Sequence, residues 1–212
     1  MLHTILFDLD GTLVDSAEDI TASALSGFAE VGAPADRARL MTLLGYSLRE
    51  LYDTVVADGN AERRDRFTQA YRRHYALHCT DRTVVYPGVR ETLAALHRFR
   101  LGVATTKLTA TAEQILRALD LAEAFDVILG SDGLPSKPDP AVLRQALARL
   151  GATPREALMV GDTDRDVLAA QAAGMRVVAV TYGGWSRERL AALHPDALLD
   201  DFPSLPRLVA SW

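Results

Sequence analysis

Apolar and polar positions change rhythm along this chain. From Arg100 onward, the runs "RLGVATT", "DVILG", "ALMVGD" and "RVVAVTY" read as strands, and residues 111–119, 140–150 and 165–173 read as amphipathic helices between them. The strand runs are continuous Val, Ile, Leu and Ala rather than strict alternations, the pattern of strands buried on both faces of a parallel sheet. The opening "TILFD" is of the same kind. Asp139 followed by Pro140 predicts an N-cap and a first helical residue, while Gly151 and Gly174 stand where helix C-caps belong. The expected fold class is α/β, a doubly wound parallel sheet.

Between about residues 16 and 84 the pattern is helical only. Ser16 and Asp19 predict a capping box, and Ile20, Ala24, Phe28 and Val31 share one face of the helix that follows. Phe67, Tyr71, Tyr75 and His78 form a second helical stripe, in which His78 reads as a partly buried histidine beside aromatic rings. The expected organisation is a core domain of residues 1–15 and 85–212, with a smaller all-helical cap domain of residues 16–84 inserted after the first strand.

Composition narrows the function classes. A chain of 212 residues, 49% hydrophobic and 24% charged, is long enough for a full core. Its apolar runs fall far short of the roughly 20 residues that span a bilayer, and Asp8 interrupts any signal-peptide pattern, so the expected location is the cytoplasm. The net charge of -5, without a basic stripe, favours neither nucleic acid nor an anionic membrane as partner. The single cysteine, Cys79, excludes an internal disulfide and reads as structural. Of 23 basic residues only two are lysine, Lys107 and Lys137. A chain so biased to arginine keeps lysine by chance or where a compact ammonium is required.

The candidate chemistry lies at the carboxyl ends of the predicted strands, where parallel α/β sheets bind ligands. "ILFD" ends in Asp8, "VATT" in Thr105 and Thr106, "VILGSD" in Ser131 and Asp132, and "LMVGD" in Asp162. If the first strand continues, Asp8 and Asp10 face one pocket, and Asp166 follows Asp162 by one helical turn. Two carboxylates about 4 Å apart repel by roughly 4 kcal/mol at an effective dielectric of 20. The cluster therefore predicts a counter-ion. All-oxygen ligands with open water positions suit Mg²⁺, and Gly11 stands too early for a calcium-binding EF-hand loop. Mg²⁺, Thr105 and an ammonium at strand ends suit a phosphate; Lys137 in "PSKPDP" supplies that ammonium or is a solvated loop residue.

Taken together, "DLDGTLVDS", the "TT" after "LGVA", "KPDP" and "VGDTDRD" resemble, in order and over nearly the whole chain, the motifs of the haloacid dehalogenase superfamily, specifically its phosphatases with a helical cap. The similarity is greatest to phosphoglycolate phosphatases. The resemblance implies that Asp8 is the nucleophile and Asp10 the general acid and base. It further implies that Asp8, the Asp10 backbone carbonyl and Asp162 hold Mg²⁺, with Asp166 behind them, and that Thr105 and Lys137 grip the phosphoryl oxygens. Thr106 stands where many phosphoglycolate phosphatase-like chains carry Asn, which bears on the substrate. Arg49, in "LGYSLRELY", corresponds to a cap loop that reaches the substrate, and reads equally as a surface arginine starting a helix. Asp10 separates the chain from the dehalogenases, which lack it.

The implied function is hydrolysis of a small phosphorylated metabolite, with 2-phosphoglycolate as leading candidate, by a monomer or homodimer. A phosphomutase or a pyrophosphatase would use the same chemistry. A non-catalytic binding protein would have no reason to keep a repulsive cluster.

Overall fold

The computed structural model describes residues 2–212. The chain runs β1 (Thr4–Phe7), β2 (Val14–Asp15), α1 (Ala17–Glu30), α2 (Arg37–Met41), α3 (Leu48–Val55), α4 (Ala61–His78), β3 (Val84–Val85), α5 (Val89–Ala95), β4 (Arg100–Ala104) and α6 (Thr109–Ala118). It continues through β5 (Val127–Leu129), α7 (Ala141–Leu150), β6 (Ala157–Gly161), α8 (Asp164–Ala173), β7 (Arg176–Val180), α9 (Arg187–Ala191), β8 (Ala197–Leu199) and α10 (Leu205–Val209). It divides into two compact units, Met1–Asp15 with Val85–Trp212, and Ser16–Val84.

The larger unit holds a six-stranded sheet in the order β5-β4-β1-β6-β7-β8, with every pairing parallel. β2 and β3 pair as a separate two-stranded sheet. Counting sheet strands alone, this is the doubly wound order 3-2-1-4-5-6, whose switch point lies beside its first strand. The register, Phe7 beside Val103 and Val160, brings the ends of β1, β4 and β6 to one edge. Strands β1 and β6 are buried throughout, as their unbroken apolar runs require. Leu6 packs with Leu143, Leu147, Met159 and Val167 on one face of the sheet, and Phe7, pointing the other way, meets Phe125 and Phe202.

Helix ends match the sequence in part. Gly151 and Gly174 cap α7 and α8 in the left-handed conformation. Pro140, expected as the first helical residue of α7, is its N-cap; Asp139 still serves that end, because its side chain accepts from the Ala141 N–H. β8 and helices α5, α9 and α10 were not anticipated by the periodicity.

The smaller unit is all helical, with α1 packed along α4. Phe28 lies 4.4 Å from Phe67, centroid to centroid, and Tyr52 5.5 Å from Phe67. Ala24, Phe28, Val31, Phe67, Tyr71 and Tyr75 are buried as their stripes predict, whereas Ile20 is half-buried. His78 is half-buried too, with Nδ1 2.8 Å from Asp81 and its ring 4.4 Å from His74. Cys79 is buried and forms no disulfide. Among the described residues, no helix is long and apolar enough to cross a membrane.

The expected capping box at α1 does not form. Ser16 makes no side-chain cap hydrogen bond, and Asp19 instead accepts from Arg82 N at 3.0 Å, Thr83 N at 2.9 Å and Thr83 Oγ1 at 2.8 Å. One buried carboxylate oxygen thus ties the first helix of this unit to its last residues. Asp19→Ala leaves buried donors unpaired and is expected to lower stability by about 1–3 kcal/mol in urea unfolding, with Asp19→Asn, which keeps an acceptor oxygen, losing less.

Candidate active site

β1 ends at Phe7 rather than running on; Asp8 still donates its N–H to the Val160 carbonyl at 2.9 Å, and Asp10 makes an isolated bridge to Val14 across the turn at residues 11–13. That turn needs glycine at position 11. Gly11 has φ +78°, and a Cβ there would run into the Asp162 carboxylate. The turn that follows β1 and the residue that follows β6 are thereby pressed together at the switch point of the sheet.

Asp8, Asp162 and Asp166 are buried and offer carboxylate oxygens all within 4.8 Å of one another. Lys137 is buried among them. Its Nζ donates to Asp8 Oδ1 at 2.8 Å, Asp166 Oδ1 at 2.5 Å and the Ala104 carbonyl at 3.1 Å, so three donors meet three acceptors. The loop that carries it is fastened by Arg165, whose guanidinium donates to the Lys137 carbonyl at 3.1 Å. The solvated-loop reading of Lys137 is therefore corrected: its side chain is 2% exposed. Asp166, in the first turn of α8, also accepts from Thr163 N and Oγ1 through Oδ2. With both oxygens engaged, it serves to orient Lys137 and the start of α8.

Asp162 accepts from Thr12 Oγ1 at 3.1 Å and from the Gly184 N–H at 2.7 Å. The segment after β7 closes this side of the site, with the Tyr182 hydroxyl donating to the Thr12 carbonyl at 2.8 Å. Sequence reading placed Tyr182 in a strand and missed this contribution; the tandem glycines after it were the available signal. Thr105, fully buried, follows β4, and its Oγ1 accepts from the Lys107 N–H at 3.3 Å. Thr106 is half-buried, and its carbonyl accepts from Ser131 Oγ at 2.8 Å.

Lys107, directly after the Thr105–Thr106 pair, also reaches this cluster. Its Nζ lies 3.0 Å from Asp10 Oδ2, with the lysine side chain 10% exposed. The signal was present in the composition, since both of the chain's lysines sit in this site. Arg49 belongs to the smaller unit, in the first turn of α3, with Nε 3.7 Å from Asp53 Oδ2 and its side chain 75% exposed.

The electrostatics follow from burial. Desolvation pushes Asp8 up to about 7, with the Asp166 and Asp10 carboxylates adding to the rise and Lys137 opposing it. Asp162 is likewise held well above the usual carboxylate range by burial and then by Asp166 and Asp8, against the Gly184 and Thr12 hydrogen bonds. Burial alone would depress Lys137, but Asp166 and Asp8 outweigh it and hold its ammonium above the ordinary lysine range. A site whose carboxylates resist ionisation although every ligand atom is oxygen fits a hard divalent cation, which would remove that resistance.

The family model described as haloacid dehalogenase-like hydrolase matches residues 5–180. A phosphoglycolate phosphatase of Rhodospirillum rubrum is 40% identical, the match covering 97% of this chain and 90% of that protein. The pyrophosphatase PpaX of Halalkalibacterium halodurans is 34% identical over 98% of this chain and 97% of its own length. The crystal structure of a predicted phosphatase from Clostridium acetobutylicum superposes with a TM-score of 0.92 at 30% identity, covering 100% of both chains. With the doubly wound sheet, the acid-lysine cluster at its switch point and a family match over most of its length, the chain belongs to the haloacid dehalogenase-like hydrolases.

Proposed function

We propose that the protein is a Mg²⁺-dependent phosphatase that hydrolyses a small phosphate monoester through an aspartyl phosphate on Asp8, with 2-phosphoglycolate as the leading substrate. The observation that carries this reading is the Asp8 carboxylate held 2.8 Å from Lys137 Nζ, in the same cluster as Asp162 and Asp166. The similarity to named phosphoglycolate phosphatases supports the choice of substrate.

In this mechanism an Asp8 oxygen attacks phosphorus and the ester P–O bond breaks as Asp10 gives its proton to the leaving oxygen. Water then attacks the phosphorus of the aspartyl phosphate while the Asp10 carboxylate takes up its proton; the Asp8–phosphorus bond breaks, and phosphate leaves. Lys137 and Thr105 hold the phosphoryl oxygens as their charge redistributes, and Asp166 keeps Lys137 in place. Asp8, Asp162 and the Asp10 carbonyl would hold Mg²⁺, which supplies charge neutralisation for the phosphoryl group when bound. The helical unit takes the role of a cap that selects the substrate, with Arg49 as candidate for a substrate carboxylate.

A panel of phosphate esters and pyrophosphate, each with Mg²⁺ and with EDTA, tests the reading. Release of phosphate that EDTA stops is expected, greatest with 2-phosphoglycolate. No release from any ester overturns it. Preferred release from pyrophosphate selects the second reading, which the PpaX relative favours; isomerisation of a sugar phosphate without net release indicates a mutase.

Metal binding should depend on pH in a stated direction. Asp8, at about 7, keeps a proton in acid solution that Mg²⁺ must displace. Affinity measured by calorimetric titration is expected to fall at least tenfold per pH unit below about 7, and more steeply where Asp162, a second ligand held well above the usual carboxylate range, must lose a proton as well. The same raised value means that the metal-free fold loses stability from this group as pH rises from the ordinary carboxylate range through about 7. Mg²⁺ should therefore raise the melting temperature more at pH 8 than at pH 5.5.

A further inference from the structure

Each lysine of this chain lies against one aspartate of "DLD": Lys137 against Asp8, and Lys107 against Asp10. The second pair is built rather than casual. The backbone of Lys107 is held from two sides, its N–H donating to Thr105 Oγ1 at 3.3 Å and its carbonyl accepting from Ser131 N at 2.8 Å. Gly130 passes so close to the Lys107 carbonyl and to Thr109 N that any Cβ would collide with both. The loop after β4 is thus pressed onto the loop after β5, and the side chain leaving it is nearly buried by the time its ammonium reaches Asp10, 3.0 Å away.

We propose that Lys107 is a positioning residue that holds the Asp10 carboxylate for its two proton transfers. This rests on the reading of Asp10 as acid and base. Asp10 needs such a partner because it sits beyond the end of β1, held in the backbone only by an isolated bridge to Val14, with its side chain 22% exposed. Its rotamer is not fixed by strand geometry, and a misplaced proton-transfer group loses much of its effect. Lysine suits the task where arginine, used at all but two of the 23 basic positions, does not. A guanidinium fork grips both carboxylate oxygens and locks the plane of the group, whereas an ammonium is a point donor about which the carboxylate turns from leaving group to water.

The consequence is a separation of steps. Without Lys107, attack by Asp8 on a substrate whose leaving group needs no proton stays intact, and every step that needs Asp10 slows. The test compares wild type, Lys107→Met and Lys107→Arg by rapid mixing with 4-nitrophenyl phosphate, and by steady state with an alkyl phosphate that the wild type hydrolyses. Lys107→Met is expected to release a burst of about one equivalent of nitrophenolate at close to the wild-type rate, then turn over on the order of 10–100-fold more slowly, with KM nearly unchanged. On the alkyl phosphate its kcat falls by a similar factor without a burst, and Lys107→Arg, which keeps the charge, recovers part of the loss. Equal slowing of burst and turnover, or no change in either, overturns the proposal. If Lys107→Met does not fold, the burst-to-turnover ratio of Lys107→Arg decides alone. A wild type that forms no phosphoenzyme overturns the phosphatase reading itself, and this proposal with it.

Discussion

Asp8→Asn is expected to lower phosphatase turnover by a factor on the order of 10⁴ or more while leaving a folded protein. The amide matches the carboxylate in shape but cannot become the acyl phosphate. Loss of folding is not expected, because in the metal-free protein this carboxylate is a burden on the site: burial and the Asp166 and Asp10 charges push it up to about 7. Lys137 keeps all three of its acceptors in the variant, because the amide Oδ1 still accepts beside Asp166 Oδ1 and the Ala104 carbonyl; only the charge at position 8 is lost. At pH 8 without Mg²⁺, the melting temperature of Asp8→Asn should therefore equal or exceed that of the wild type. Its gain on adding Mg²⁺ should shrink, because a ligand and a counter-charge have both gone. Rate assays and thermal melts with and without metal check the two halves separately. A variant that keeps a tenth of the activity means that another group attacks phosphorus; one that unfolds means that the Asp8–Lys137 pair is a structural bridge first.

The site was legible because its chemistry sits where parallel strands stop. Apolar runs that end in Asp8, Thr105 and Asp162 can be read along the chain, and parallel pairing brings such ends to one edge without further information. Partners that arrive across the fold were less visible. Asp19 has the spacing of a capping box with Ser16, yet its oxygen is taken by Arg82 and Thr83, more than sixty residues away. A local pattern predicts a local bond and is silent about a competitor from another part of the chain. Lys107 stood out by rarity, but the direction of its side chain depends on the loops after β4 and β5 being pressed together at Gly130. β8 escaped notice because three residues, "ALL", between Asp196 and Asp200 carry no period of their own. Its place is set by pairing with β7, from Val178 beside Ala197 to Val180 beside Leu199.

Lys137→Met should abolish activity and also cost about 3–5 kcal/mol of stability, because it strands two buried carboxylates without their cation. The lysine side chain is 2% exposed, and those of Asp8 and Asp166 are 11% and 0% exposed, so water cannot take the ammonium's place at little cost. The pH dependence separates this cause from a simple packing defect. Lys137 is held above the ordinary lysine range, so its contribution to the wild type is fully present below about pH 10 and does not change between pH 5 and 8. In the variant, Asp8 loses the one charge that pulls its value down and rises further above that of the unfolded chain. The penalty for ionising it is present at pH 8 and fades as the pH falls and the group takes up its proton. Urea unfolding at pH 8, 6.5 and 5 should thus show a gap between variant and wild type that is widest at pH 8, narrows towards pH 6.5 and changes little below it, where Asp8 is mostly protonated in both, whereas a loss of packing alone would leave it constant throughout. Lys137→Arg keeps the charge but cannot direct three donors from one atom at Asp8, Asp166 and Ala104 O. Its stability should fall between the other two, with activity still lost, since the phosphoryl group would meet a planar fork where the site is shaped around a single ammonium.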